Sequence, residues 1–341
     1  MILEIDLSQK FIDFAQKECE GSSELYKSLS LAIAEEKDLL DLATNSREGQ
    51  PIPNLFLGAV HYLLLKGNVH QLKEYYPSIV TNPRIPNDSF LAFKNFCQRY
   101  VKEIIDILKS RLVQTNEVRR CSYLYPAFKH VFEITKRPLA LIEIGTSAGL
   151  QLLWDQYSYS YGTSEVFGNQ NSKVHISSDI KGGSIPFLHG PPPPVASRIG
   201  IDLNVIDLSN DDDFLWLNSL IWPNHHERRS LFAKAANYVR ESKLELIEGN
   251  GVGLLKDLAK NIATEHTICI FHTHVANQMP IETRRTLVES VKEIGQKREI
   301  FHIYNNIWDR DLHLDYYLNG KEYTKKIGET DGHGRWFTWE I

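Results

Sequence analysis

Apolar residues recur at intervals of three and four along the first third of the chain. This spacing runs from Phe11 to about Phe132 and is typical of amphipathic helices. Turn signals rich in Gly, Pro and Asn separate the helical stretches, and residues 54–66 are nearly all apolar. We therefore predict a helical N-terminal domain over residues 1–130, which would cap a cleft, with 54–66 as its buried core helix.

The pattern changes at Pro138. Residues 139–144 form a short, continuous apolar run that ends at Gly145, as expected for a parallel strand buried on both faces. Similar runs, with helical patterns between them, recur at 244–247, 267–271 and 299–304. This alternation predicts an α/β domain with a mostly parallel sheet over residues 131–341.

Two further patterns refine this domain. Asn319-Gly320 separates two strand-like runs and suits a type I′ turn, so it predicts an antiparallel hairpin that closes the sheet. Residues 162–200 are polar and irregular and include a proline run at 191–194. We interpret this stretch as an insertion, followed by a short strand at 198–202.

Composition and charge exclude several classes of protein. The 341 residues are 42% hydrophobic, as in a globular protein, and 38 Lys and Arg against 43 Asp and Glu give a net charge of -5. A protein that tracks nucleic acid needs a cationic face, so no nucleic-acid partner is predicted. Four dispersed cysteines indicate neither a zinc ribbon nor a disulfide framework. Without a basic leader or a membrane-length apolar run, we predict a cytoplasmic protein with no membrane partner.

The strongest local motif follows the first predicted strand. Glu143, Gly145, Thr146, Ser147 and Gly149 lie where a buried strand enters a small-residue turn and then an apparent helix over 150–157. Small residues let a ligand approach the backbone, and the N–H groups of a helix start favour a polar or anionic group. A buried carboxylate needs a partner, so Glu143 is expected to face a ligand ammonium or loop N–H groups. The alternative is a tight turn with no ligand.

Three ligand classes compete for this loop. It lacks the G-x-G-x-x-G spacing, which disfavours a dinucleotide. Gly145-x-Ser147-x-Gly149 matches a nucleophile elbow, with Asp309 and His333 following in the order that an acyl hydrolase requires. Such a hydrolase, however, places several strands before its elbow, whereas the upstream sequence here is helical.

The third class rests on a resemblance. Glu143-x-Gly145-x-x-x-Gly149 resembles the first motif of class I S-adenosylmethionine (SAM) methyltransferases. The segments that carry a wider resemblance are Pro53–Leu64, Thr115–Phe128, Glu143–Tyr157, Arg198–Leu208, Trp216–Arg229 and His333-Gly334. Through them the chain resembles the bacterial family DUF2332, thought to have a methyltransferase-like fold. The resemblance implies a class I SAM-methyltransferase-like, Rossmann-like sheet, SAM as cofactor, and transfer of a methyl group to a small molecule.

The same resemblance implies a set of cofactor-binding residues. The loop residues that would hold the aminocarboxypropyl end of SAM are Glu143, Gly145, Thr146, Ser147 and Gly149. Ser147 replaces the usual middle glycine of this loop. Asp179 and Asp202 both follow strand-like segments, so either would hold the ribose hydroxyls. Glu248 and Asn250 follow the third strand, where Asn250 replaces the Asp that often contacts adenine; an Asn side chain can still hydrogen-bond an adenine edge.

Histidines follow the fourth predicted strand. His272 and His274 lie at the carboxyl edge, where open α/β sheets place their chemistry, so they are candidate catalytic bases. Their side chains alternate, so only one would face the cleft if the strand continued. Structural histidines are the alternative. A metal site would need ligands from His302, Asp309 or His313, but no recognised spacing links them, so no metal is predicted.

A charged segment precedes the sheet domain. Asn116, Glu117 and Arg120 would lie on a solvated helix turn by geometry alone, but they fall in a family-like segment. With His333 they are our candidates for substrate contact. We predict a SAM-dependent methyltransferase with a small-molecule substrate. The alternatives are a methyltransferase-like scaffold that binds a metabolite or partner without catalysis, and a hydrolase with Ser147 as nucleophile.

Overall fold

The computed structural model describes residues 2–114 and 117–341, so the predicted substrate residue Asn116 lies outside the described residues. The chain divides into two compact units, one formed by residues 1–115 and 209–230 and the other by 116–208 and 231–341. This division differs from the predicted boundary at residue 130. The segment before the first strand belongs to the sheet unit, and a later segment returns to the helical one.

The helices are spread over both units. In chain order they are α1 (Ile2–Phe14), α2 (Glu24–Ala34), α3 (Lys37–Ala43), α4 (Ile52–Leu65), α5 (Phe90–Arg99), α6 (Val101–Ser110), α7 (Cys121–Thr135), α8 (Asp211–Ser219), α9 (His226–Glu241), α10 (Gly251–Asn261) and α11 (Ile281–Gly295). Short 3-10 turns and one π-helical turn, Ala15–Cys19, connect some of them. None of the helices described is both long enough and apolar enough to cross a membrane.

The helical unit packs around α4. As predicted, this apolar helix is a core element, and Phe56 at its centre meets Phe11 and Phe93 edge-on at 6.3 and 5.8 Å between ring centroids. His61 on the same helix is fully buried, and its two ring nitrogens lie 2.8 Å from the Ser219 carbonyl and the Ser78 hydroxyl. Burial lowers the pKa of His61 to about 3, so it acts as a neutral core residue.

Twelve strands lie in the described part of the sheet unit. They are β1 (Leu139–Ile144), β2 (Ser158–Ser160), β3 (Phe167–Gly168), β4 (His175–Ser177), β5 (Asp179–Lys181), β6 (Val195–Asp202), β7 (Glu245–Glu248), β8 (Thr267–His272), β9 (Ile300–Tyr304), β10 (Leu312–Leu318), β11 (Lys321–Gly328) and β12 (Trp336–Thr338). The main sheet has the order β11-β10-β9-β8-β1-β6-β7, in which only β10 runs antiparallel to its neighbours. The fold is therefore α/β with a Rossmann-like, mostly parallel sheet, as predicted.

Local sequence explains the turn that closes the sheet. The hairpin between β10 and β11 turns at Asn319 and Gly320, with φ of 52° and 74°, which are the two positive values that a type I′ turn requires.

Two segments after β1 depart from regular strand and helix alternation. The helix expected after β1 is instead a 3-10 turn, Leu150–Gln156, with non-helical backbone angles at Leu153. The predicted insertion holds the short strands β3, β4 and β5, which lie outside the main sheet.

The two faces of the sheet differ in what covers them. Ile142 of β1 and Ile270 of β8 belong to the core cluster that includes residues of α10 and α11. On the opposite face, Phe128 of α7 meets Phe271 of β8 edge-on at 5.2 Å. Because side chains alternate along a strand, Glu143, which pairs with Phe271 in register, lies on the α7 side.

Candidate functional site

The strand order places a crevice at the carboxyl end of β1. The chain runs from β1 to β6 and β7 on one side, then crosses to β8 and β9 on the other. In open α/β sheets this reversal of direction marks the ligand-binding crevice, outside the carboxyl ends of the strands. The candidate site is therefore formed by the loops that follow β1, β6, β8 and β9.

Backbone strain concentrates on three of these loops. Ser147 after β1, His274 after β8 and Asn306 after β9 have φ of 50°, 56° and 63°. A residue with a Cβ pays about 1–2 kcal/mol for this left-handed conformation, and such strain clusters at functional sites. The other two such residues described are Lys136, which ends a helix, and Asn319, which forms the hairpin turn.

Glu143 is a buried carboxyl group at this edge. Its side chain is 3% exposed, and its Oε2 accepts a hydrogen bond of 2.6 Å from the Thr146 hydroxyl. Burial raises the pKa of Glu143 to about 8; the Thr146 bond and the charge of Arg120 oppose this rise, and the charge of Asp202 adds to it. The group is therefore protonated at neutral pH unless a further cation is brought beside it.

The loop after β1 folds onto β6. The N–H groups of Gly145 and Thr146 donate to the Ile201 carbonyl at 2.8 and 3.2 Å, and the Ser147 N–H donates to Asp202 Oδ2 at 2.8 Å. The space beside the two glycines of this loop is filled by other side chains of the protein. A Cβ on Gly149 would lie 2.7 Å from Leu244 Cδ1, and one on Gly145 would overlap Val275.

The two candidate ribose-binding carboxylates lie in different sheets. Asp202 ends β6, directly beside β1, and its Oδ1 also accepts from the Asn204 N–H at 3.0 Å. Asp179 begins β5, which pairs only with β12 in a separate two-stranded sheet. Of the pair, Asp202 is the one at the edge of the main sheet.

Glu248 ends β7, two strands away from β1, and Asn250 follows it. Asn250 Oδ1 accepts from the N–H groups of Val252 and Gly253 at 3.1 and 3.4 Å, so its side chain caps α10. Sequence reasoning missed this cap, although an Asn before a helical pattern is its usual signal. The Asn250 Nδ2 is the atom left to donate to a ligand, and Glu248 is exposed.

Three predicted substrate residues come together near the end of β8. Glu117 and Arg120 are 3% and 7% exposed, so they do not lie on a solvated face. Arg120 Nε donates to the Gly332 carbonyl at 3.0 Å, and its Nη1 lies 3.4 Å from the Thr273 carbonyl. His333 Nδ1 lies 3.3 Å from Glu117 Oε2.

The two candidate catalytic histidines lie in different environments. His272, the last residue of β8, is fully buried on the α10 and α11 side, with its ring centroid 5.2 Å from that of His302. His274 lies on the loop beyond, and its N–H donates to Asn305 Oδ1 at 2.8 Å. Burial lowers the pKa of both His272 and His274 to about 3. Both rings are therefore neutral and are weak bases at neutral pH.

The residues proposed for a hydrolytic triad contact other groups. His313 Nε2 lies 2.8 Å from Asp309 Oδ1, and His333 faces Glu117. No strand precedes β1 in the main sheet of the described chain, unlike a hydrolase sheet. Across residues 2–114 and 117–341, no three or more His, Cys, Asp and Glu side chains are arranged to hold a metal ion.

Sequence reasoning missed two further residues at this edge, Tyr123 and Asn305. Both are fully buried, and Asn305 Oδ1 accepts from the His274 N–H and from Asn306 Nδ2, each at 2.8 Å. The Asn305-Asn306 pair directly after a buried strand was a usable signal. Tyr123 offered none, because it lies within an apolar helical pattern.

The sheet and its polar edge define an α/β protein with a Rossmann-like fold and a candidate site at the strand switch point. A family model described as "Uncharacterized protein conserved in bacteria (DUF2332)" matches residues 8–339, and the chain belongs to this family. Comparisons with curated proteins and with solved structures gave no match.

Proposed function

We propose that this protein binds SAM at the carboxyl edge of its sheet and transfers the methyl group to a small molecule. The observation that carries the proposal is Glu143, a buried and protonated carboxyl group beside the strained loop at the strand switch point. A ligand ammonium would let this group ionise, which the protein alone does not do. The amino group of the methionyl part of SAM has the required charge.

Three side chains at the carboxyl edge of the sheet would hold parts of this ligand. Glu143 would hold the ammonium. Asp202 would accept the ribose hydroxyls, because a carboxylate has about four acceptor sites and backbone N–H groups take only some of them. Asn250 Nδ2 would donate to the adenine edge while Oδ1 keeps its capping bonds. The loop glycines would shape the loop rather than touch the ligand, because their Cβ positions face Val275 and Leu244.

When bound, SAM supplies an electrophilic methyl group on its sulfonium sulfur. The chain would then contribute mainly by orienting the acceptor, since correct positioning alone can lower a barrier by several kcal/mol. His274 begins as a neutral ring, so it would orient the acceptor through a hydrogen bond at Nε2 rather than act as a strong base.

Thermal unfolding with SAM and S-adenosylhomocysteine tests the proposal. A ligand that binds only the folded state adds about 2.7 kcal/mol when its concentration is 100 times its Kd. Wild type should be stabilised by both ligands, and Glu143→Gln should lose most of this effect because a neutral amide does not pair with an ammonium. Glu289→Gln, which changes an exposed carboxylate on α11, is the matched control. No stabilisation of wild type at millimolar ligand would refute SAM binding.

One observation favours hydrolysis as a second candidate function. Ser147 has a left-handed backbone between Gly145 and Gly149, on the kind of strained strand-to-helix turn that carries a nucleophile. A fluorophosphonate probe should then label native wild type but neither Ser147→Ala nor the heat-denatured protein. Without such labelling, Ser147 is not a hydrolytic nucleophile.

A further inference from the structure

Two fully buried polar atoms at the sheet edge make no hydrogen bond of regular geometry with the residues described. They are the hydroxyl of Tyr123, on α7, and the Nδ2 of Asn305, directly after β9. His274 Nε2, on the loop after β8, is a third such atom. A buried polar atom without a partner costs about 1–3 kcal/mol, so each of these atoms calls for a ligand or an ordered water.

The orientation of the Asn305 amide is set by its neighbours. Its Oδ1 receives two hydrogen bonds of 2.8 Å, from the His274 N–H and from Asn306 Nδ2. Turning the amide over would place its NH₂ group against these two donors. Nδ2 is therefore a donor that seeks an acceptor.

Positive charge lies beside these atoms. Arg120 Nη1 lies 3.4 Å from the Thr273 carbonyl, and its Nε donates to Gly332, whose Cβ position is 3.7 Å from the His274 ring. Burial raises the pKa of Tyr123. The charge of Arg120 opposes this rise, and so do weak polar contacts of the hydroxyl with the side chains of Asn305 and Thr273, which place these groups next to one another.

Two acidic groups nearby, Asp331 and Glu117, lie against cationic or basic side chains. Asp331 binds Arg335 through two side-chain bonds of 2.9 Å, and Glu117 Oε2 lies 3.3 Å from His333 Nδ1. Donors beside a guanidinium favour an anionic oxygen over a cation.

We propose that Tyr123, His274 and Asn305 form a subsite for the carboxylate of a small-molecule ligand, next to the charge of Arg120. The Asn305 amide and the Tyr123 hydroxyl donate to the carboxylate oxygens, and His274 donates from Nε2 as the neutral tautomer that carries its proton there. Assigning this carboxylate to a methyl acceptor rests on the proposed function. The subsite itself does not require SAM.

Isosteric variants test the subsite. Thermal unfolding is followed in sodium acetate and sodium benzoate, against sodium chloride at equal ionic strength. Wild type should be stabilised by acetate and benzoate. Asn305→Asp should bind them at least about tenfold more weakly, because its new oxygen repels an anion while Oδ1 keeps its two hydrogen bonds. Tyr123→Phe should bind acetate and benzoate less tightly than wild type does. It should unfold no earlier than wild type in chloride, because the hydroxyl makes no hydrogen bond of regular geometry within the protein.

Three outcomes would overturn the subsite. If the carboxylates stabilise wild type no more than chloride does, or stabilise all three proteins equally, the atoms hold ordered water instead. Early unfolding of Tyr123→Phe in chloride would also indicate that the hydroxyl serves a structural water.

A second pair of probes separates this proposal from the function. S-adenosylhomocysteine carries a carboxylate, and 5′-methylthioadenosine does not. If Asn305→Asp weakens the binding of S-adenosylhomocysteine but not that of 5′-methylthioadenosine, the carboxylate of the subsite belongs to the cofactor. If the variant binds both nucleosides as wild type does but is no longer stabilised by acetate, the carboxylate belongs to the acceptor. If neither nucleoside binds while acetate still does, SAM binding is wrong and the subsite stands.

Discussion

Glu143→Gln removes one ionisable group from the sheet and should change how stability depends on pH. Gln keeps the size of the side chain and an oxygen for the Thr146 hydroxyl, but it does not ionise. Burial raises the pKa of Glu143 to about 8 in the folded protein, against an ordinary value of 4.5 that applies when the chain unfolds. Between these pH values the folded protein holds a proton that the unfolded chain has released.

The sign and size of the effect follow from this difference. Because the folded state binds the extra proton, the Glu143 contribution to the free energy of unfolding is fully present below pH 4.5 and is lost as pH rises through about 8. The loss is roughly 1.4 kcal/mol per pH unit within this window. From about pH 5 to about pH 7.5, the stability of the Gln variant relative to wild type should rise by roughly 3 kcal/mol.

Urea unfolding at a series of pH values measures this difference. The sheet-unit transition is followed by tryptophan fluorescence and circular dichroism, since Trp154 is fully buried there. The free energy of unfolding of the control variant Glu289→Gln should depend on pH in the same way as that of wild type. Parallel curves for Glu143→Gln and wild type would refute the reasoning, because they would mean that Glu143 is already ionised and paired in the folded protein.

Three further predictions concern single residues of the sheet unit. Ser147→Gly should leave the free energy of unfolding unchanged or raise it by up to about 1 kcal/mol, because glycine relieves the left-handed backbone but adds freedom to the unfolded chain; a fall in the urea midpoint would contradict this. Asn250→Ala should lower the free energy of unfolding by about 1 kcal/mol through loss of the α10 cap, and an unchanged midpoint would show that the cap contributes nothing. Burial depresses the pKa of His272 from 6.5 to about 3, so its contribution is present above pH 6.5 and is lost as pH falls toward 3. His272→Phe should therefore lose less stability than wild type on acidification, as measured by urea titrations across that range.

The parts of the fold that follow from local pattern could be predicted from the sequence. The strand β1 and the hairpin at Asn319-Gly320 lie where they were expected, because continuous burial and turn chemistry leave direct marks on the residues involved. The candidate site was partly predictable for the same reason. Glu143 and Asp202 end adjacent strands, and strand ends are readable from composition.

Other features depend on contacts between residues far apart in the chain. Residues 209–230 join the helical unit although they lie between two strands of the sheet, and nothing in their periodicity distinguishes the two destinations. Likewise, the sequence predicts either Asp179 or Asp202 as the residue that binds the ribose hydroxyls, and only strand pairing shows that Asp202 lies beside β1. Pairing is a long-range choice, so a strand-like segment alone does not reveal its partner.

The sequence by itself determined the alternation of strands and helices, the closing hairpin and the polar loop after β1, because periodicity and turn preference act over a few residues. Only the tertiary structure decided that His272 is fully buried on the α10 and α11 side of the sheet while His274 lies on the loop beyond β8. It also decided that Tyr123 and Asn305 each have a buried polar atom without a hydrogen bond of regular geometry. Burial and hydrogen bonding are properties of the packed chain. The packing of α7, β8 and β9 therefore decides which polar residues are exposed to solvent and which are buried with or without a hydrogen-bond partner.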